Sequence, residues 1–200
     1  MKIVKVTIAG QTPLMMHNDR LANPLDDYAR ELKGYTSKRQ KTDEDYEAMS
    51  RIEFLGGLYY NELFGVHIPA RNLRKCIWEG SLIQKKGMAV KRGVFIVETA
   101  LPLIYQGPKT PKELYTANGG AFVDTRMAGT GSDSRVLRTR PIFAPPWSLV
   151  ATVRYDPGQI NEESLRQAIE DAGQLCGLGD YRMNKSGGEF GRFEIGKWEA

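Results

Sequence analysis

The sequence is short of the residues on which several chemistries depend. Its 200 residues include two cysteines and two histidines. Cys76 and Cys176 stand a hundred positions apart, with neither metal-ligand spacing nor the density of a disulfide framework. Both fall on the apolar side of expected helices and read as small core residues. No apolar run approaches the ~18 residues that would span a bilayer. The N-terminus, Met1-Lys2-Ile3-Val4-Lys5-Val6-Thr7-Ile8, alternates like a strand and lacks the core of a signal peptide. The sequence also has no Walker motif, no HExxH and no GxSxG. These absences argue against metal, membrane and nucleotide-hydrolysis chemistry. The expected location is the cytoplasm, with no membrane partner, no metal and no cofactor.

What is present fits a globular domain. Hydrophobic residues make up 41% and charged residues 26%, enough for a core and too balanced for disorder. The net charge of +4 is mild, but it is clustered. Residues 71–92 carry seven Lys or Arg and one acidic residue, Glu79. Such clustering points to a polyanion.

Residues 2–10 are β-branched on both faces and are expected to form a strand covered on both sides. A polar insertion follows, with a short helix near 25–33 and a longer one near 43–55, capped by Thr42 or Asp43. Leu58–Tyr60 and Phe64–Ile68 flank Asn61-Glu62 as a hairpin. Pro69 opens a helix whose buried face is Leu73, Cys76, Ile77, Gly80 and Ile83, leaving Arg71, Arg74, Lys75 and Trp78 outside it. Gly93–Glu98 reads as a strand. A second insertion at 102–146 holds strands 121–127 and 135–143 around a Gly129-Thr130-Gly131-Ser132 turn. Trp147–Tyr155 is a clear strand, ended by Asp156-Pro157-Gly158. A helix over 161–175 is capped by Asn161 and buries Leu165, Ala168, Ile169, Ala172 and Leu175. A glycine-rich loop leads to a last strand over 190–198.

Without its insertions, at about 14–69 and 102–146, the chain reads βαββαβ. That order is α+β and ferredoxin-like, and it also builds RRM-like domains. A single domain with two large insertions is expected over 1–200.

The segment Gly177-Leu178-Gly179-Asp180-Tyr181-Arg182-Met183-Asn184-Lys185-Ser186-Gly187-Gly188-Glu189-Phe190-Gly191 surrounds Arg182 and Lys185 with glycine. It is either a nest of main-chain N–H groups for phosphate, at Gly177, Gly179, Gly187 and Gly188, or a plain turn. In Ser134-Arg135-Val136-Leu137-Arg138-Thr139-Arg140-Pro141, strand alternation puts Arg138 and Arg140 on one face and Arg135 on the other, with Arg126 across the hairpin. Arginines at that spacing match a run of phosphates. Phe143 and Trp147 are either base-stacking platforms or core aromatics.

The glycine segment, running into the final strand after the second core helix, resembles the signature of the RAMP superfamily, the repeat-associated proteins of CRISPR systems. His67-Ile68-Pro69-Ala70-Arg71-Asn72-Leu73-Arg74-Lys75-Cys76-Ile77-Trp78 resembles the start of their first core helix. The insertions resemble the fingers and thumb of the effector-complex backbone subunit, and the chain resembles small phage-encoded proteins of that type. The resemblance implies RNA or single-stranded DNA held along a groove, and head-to-tail packing into a homo-oligomer or filament. Arg71, Arg74, Lys75, Arg182 and Lys185 are then phosphate contacts, inside a bacterial host cell. Two other readings follow from it. One is a metal-independent RNA endonuclease using His17 as general base; other members of the superfamily cut bound RNA with an aspartate in the loop after strand one, where Asp26 and Asp27 stand, though both also read as helix N-terminal acids. The other is a phage decoy that competes for CRISPR effector subunits. A non-catalytic binding subunit is the leading expectation.

Overall fold

The computed structural model describes residues 1–129 and 135–200, apart from the side chains of Asn118, Lys185 and Ser186. Of the expected Gly129–Ser132 turn, only Gly129 falls among the described residues. The architecture is α+β. In chain order its first half holds β1 (Lys2–Gly10), β2 (Leu14–Met15), α1 (Asp27–Thr36), α2 (Asp43–Gly57), β3 (Tyr60–Asn61), β4 (Gly65–Pro69), α3 (Ala70–Ile83) and α4 (Gly87–Gly93). The second half holds β5 (Val94–Ile96), β6 (Ala100–Pro102), β7 (Ile104–Tyr105), α5 (Pro111–Thr116), β8 (Val123–Gly129), β9 (Arg135–Phe143), β10 (Trp147–Tyr155), α6 (Glu162–Asp171), α7 (Met183–Ser186) and β11 (Phe193–Glu199).

The chain divides into two compact units. One comprises Met1–Met15, Tyr60–Gln106 and Phe143–Ala200; the other comprises Met16–Tyr59 and Gly107–Ile142.

The first unit is built on an antiparallel sheet in the order β11-β1-β10-β5, with β7 pairing the start of β10. Antiparallel partners share a face, so the register Val4↔Val153, Val6↔Ala151 and Ile8↔Leu149 makes one continuous apolar surface, all of it buried. Each large side chain buried there contributes about 1.5–3 kcal/mol. The opposite face is only partly covered: Lys5 is exposed, and Thr7, Val150 and Thr152 are half-buried. Ile3 is 57% exposed, and its row continues through Arg154 to exposed Phe95. The expectation of a strand covered on both sides is therefore corrected: β-branching on both faces reflects strand propensity, which does not require burial.

Helices α3 and α6 pack against each other. Gly80 is the reason they approach so closely, because a Cβ there would overlap the main chain of Ala168 and Ala172. Leu73, Cys76, Ile77 and Gly80 are buried along α3, whereas Ile83, in its last turn, is 52% exposed. In α6, Asn161 caps the helix through the Ser164 N–H at 2.8 Å, and Leu165, Ala168 and Ile169 are buried. The helix then widens into a π turn over Ala172–Cys176. The extra residue rotates the buried face, so Leu175 is 50% exposed and Cys176 takes the inner position. Phe143 and Trp147 are fully buried; the Trp147 indole N–H donates to the Thr12 carbonyl at 2.8 Å. The base-stacking alternative for these two aromatics is thereby excluded, and both are core.

In the second unit, Asp26 caps α1 and a reciprocal capping box of Thr42 and Asp45 starts α2. Lys38 donates to the Asp45 carboxylate at 2.6 Å, closing the polar loop between the two helices. Strands β8 and β9 form an antiparallel hairpin with Arg126 opposite Arg138 and Asp124 opposite Arg140. Helix α2 holds that hairpin through buried Glu53, whose carboxylate accepts from Arg138 at 2.5 Å and from the Thr139 main chain at 2.7 Å. Ser50 and Thr139 share a hydroxyl contact at 3.0 Å. Phe54 packs on Tyr115 of α5, with ring centroids 5.3 Å apart.

Candidate nucleic-acid interface

Positions 71, 74, 75 and 78 recur at helical spacing, so Arg71, Arg74, Lys75 and Trp78 form one stripe along α3, turned away from its buried face. The stripe borders a cleft of about 350 Å³ lined by these four residues together with Val90 and Lys91 of α4. A second cleft, of about 460 Å³, adjoins it and shares Arg71 and Arg74, its other walls including Phe95, Glu98 and Thr99. Arg74 organises the region. Its Nε donates to the Val94 carbonyl and its Nη2 to the Lys91 carbonyl, both at 3.0 Å, and its guanidinium lies over the Phe95 ring, 5.2 Å from the centroid. These acceptors are neutral, so the fixed cation keeps its charge. Lys75, Lys91 and Arg92 are exposed, as are Lys85 and Lys86 in the turn between α3 and α4. A row of cations on one surface, with an aromatic ring among them, has the chemistry to hold phosphates and a base. Lys91 belongs to the basic cluster read from the sequence at 71–92, whereas Trp78 and Phe95 were not among the sequence candidates. Trp78 had a usable signal, since it shares the helical phase of Arg71 and Arg74; Phe95 had none, because its place depends on how β5 meets α3.

The glycine loop is put together differently from the expectation. Arg182 is buried, and its guanidinium grips the Glu79 carboxylate of α3 through both terminal nitrogens. Its assignment as a phosphate contact is corrected: its fork is filled by an internal carboxylate in a site with little solvent. Burial pushes the Glu79 pKa up, but the Arg182 hydrogen bond and charge, with Asn184 and Lys75, outweigh it and leave the carboxyl below its ordinary value. The glycines serve close backbone packing. Gly177 and Gly179 adopt positive φ, and a Cβ on either would crowd a carbonyl, of Phe190 and Met15 respectively. The Gly177 N–H donates to Ala172 at 2.9 Å, and its carbonyl accepts from the Cys76 thiol at 3.2 Å. Leu178 N–H donates to Gly191, Gly191 N–H to Pro13 and Asp180 N–H to Met15, at 2.8–2.9 Å. Gly188 is buried against the Tyr181 carbonyl, while Gly187 is exposed in the left-handed region with open space around it. Close packing thus accounts for the missing Cβ at Gly177, Gly179 and Gly188, and the Gly177 N–H is spent inside the fold. The Lys185 side chain lies outside the described residues.

The hairpin arginines divide as well. Arg126 pairs with Asp124 on its own strand, and Arg138 with Glu53, so both expected phosphate contacts are occupied by internal carboxylates. Arg140 is half-buried, and Arg135 is exposed at the start of β9. His17 is exposed and lines a cleft of about 290 Å³ with Leu21, Ala22, Leu32, Glu53, Arg138 and Thr139. Asp26 accepts from the Tyr28 N–H at 3.0 Å, and Asp27 is exposed in the first turn of α1. Among the described residues no group of three or more His, Cys, Asp or Glu is placed to hold a metal ion, and no helix is long and apolar enough to cross a membrane.

No family model and no curated protein matches the chain. Among solved structures it is similar to a chain of the type III-B Cmr-beta, determined by cryo-electron microscopy bound to cognate target RNA. Identity is 15% and the TM-score 0.52, over 98% of this chain and 59% of that one. This chain thus spans 59% of that relative's length. A second similar structure is Cmr6 from Pyrococcus furiosus, at 13% identity and a TM-score of 0.39, over 98% of this chain and 99% of that one. At 15% identity the likeness to the Cmr-beta chain is one of fold.

Proposed function

We propose that the chain is a RAMP-like subunit that binds RNA or single-stranded DNA, holding the sugar-phosphate backbone along α3 and α4. The observation that carries this reading is the stripe of Arg71, Arg74 and Lys75, with Lys91 beside it, around one cleft. The strand order β11-β1-β10-β5 supports a ferredoxin-like βαββαβ core, in which the four core strands lie in the order 4-1-3-2. The fold likeness to a chain of an assembly bound to target RNA supports the same reading. In it, copies of the chain assemble head to tail on the strand, or the chain docks on CRISPR effector subunits.

Fluorescence anisotropy with a labelled single strand tests the proposal. If four phosphates are neutralised, at about 0.7 each in log–log slope, affinity falls roughly fifty-fold between about 50 and 200 mM salt. Absence of binding even at low salt contradicts it. Size-exclusion chromatography with and without the strand tests assembly: a shift to larger species only when the strand is present is expected.

A further inference from the structure

We infer that the cleft beside α3 is a nucleobase pocket, which makes the ligand a single strand with at least one base unstacked from its neighbours. The inference rests on the proposed sugar-phosphate track and names what that track selects.

Arg71, Arg74, Lys75 and Lys91 surround the cleft, yet its exposed surface is mainly apolar, supplied by Trp78 and the aliphatic stems of the cations. A groove that met phosphates alone would expose polar atoms throughout. An apolar floor with a cationic rim matches a nucleotide, which joins a flat, weakly polar base to an anionic phosphate. Size agrees: about 350 Å³ is at the small end of ligand clefts, which run roughly 300–1,000 Å³. Trp78 is half-buried. Gly87 lies against it, and a Cβ at Gly87 would come within 3.3 Å of the indole nitrogen. Arg74, tied to two carbonyls and stacked on Phe95, forms another wall. A half-buried indole ring flanked by cations offers a stacking platform for a base. Bases inside a duplex are stacked on both faces and cannot enter, so a duplex would meet only the rim.

Three ligands of one sequence test this: an intact single strand, the same strand with abasic sites at alternate positions, and the duplex. Trp147 is buried and cannot meet a ligand, so in a Trp198→Phe background Trp78 is the reporter. The intact strand is expected to quench Trp78 emission and to bind about tenfold more tightly than the abasic strand. Trp78→Leu should lose about that factor for the intact strand, with the slope of log affinity against log salt unchanged, and should leave duplex binding as it was. Trp78→Phe should fall between. Equal affinity of the wild-type protein for intact and abasic strands overturns the pocket, and this arm stands even if Trp78→Leu does not fold. Salt-dependent binding that ignores the bases sinks the pocket alone; no binding of any strand sinks the track on which it rests.

Discussion

Arg74, on α3, and Arg182, packed against that helix, end in opposite surroundings. Arg74 spends its hydrogen bonds on carbonyls and keeps its charge at the surface of a cleft, whereas Arg182 is buried against Glu79. Removing one member of such a buried pair strands the other charge, so Arg182→Ala or Glu79→Ala should cost about 3–5 kcal/mol in urea unfolding at neutral pH. The pH dependence has a defined sign. The folded Glu79 pKa is depressed, so its stabilisation is complete above the ordinary glutamate value of about 4.3 and is lost as pH falls through the lower folded value. The stability gap between wild type and Glu79→Gln should therefore close in acid. An Arg182→Ala protein as stable as wild type but unable to bind a strand would return Arg182 to the ligand. The sequence could not separate these two arginines, because the partner of Arg182 lies 103 positions away, beyond any local pattern. The same holds for Arg138, whose carboxylate partner Glu53 is 85 positions upstream. Strand alternation correctly said which hairpin arginines share a face, but not what lies opposite that hairpin.

Among the elements, the glycine loop makes the sharpest stability prediction. Gly191 has φ of +72°, and a Cβ there would overlap the Leu178 carbonyl oxygen. Gly191→Ala should lower the melting temperature, with at least about 1–2 kcal/mol from the left-handed backbone alone. Gly34, inside α1 with nothing within 4 Å, is the control: Gly34→Ala should gain up to about 1 kcal/mol of helix propensity and raise the melting temperature. The segment's glycine content was visible in the sequence, but its purpose was not, since both a phosphate nest and a tight backbone crossing need residues without Cβ. Most elements were legible for simple reasons. Period-two alternation marks β1, β9 and β10, and Thr42, Pro69 and Asn161 mark helix starts. The π turn after α6 was not legible, because it inserts one residue without a change in composition and moves Leu175 from the core to the surface.

For the whole molecule, a net charge of only +4 says little; the concentration of basic residues between 71 and 92 says more. The fold turns that stretch of sequence into one surface by reversing the chain between α3 and α4, which sets Lys91 beside Arg71, Arg74 and Lys75. The two insertions read from the sequence as separate excursions contribute Met16–Tyr59 and Gly107–Ile142 to a single compact unit, while the short strands β3, β4, β6 and β7 belong with the main sheet unit. Pairing across such distances leaves no local mark. Neutralisation of phosphates by the α3–α4 surface is tested most directly by the salt dependence of single-strand binding by wild type and by the Arg71→Ala, Lys75→Ala, Lys91→Ala triple variant. A slope about 2 shallower in the variant, with a large loss of affinity at low salt, is the predicted result. A variant that binds with the wild-type slope and affinity would contradict the account.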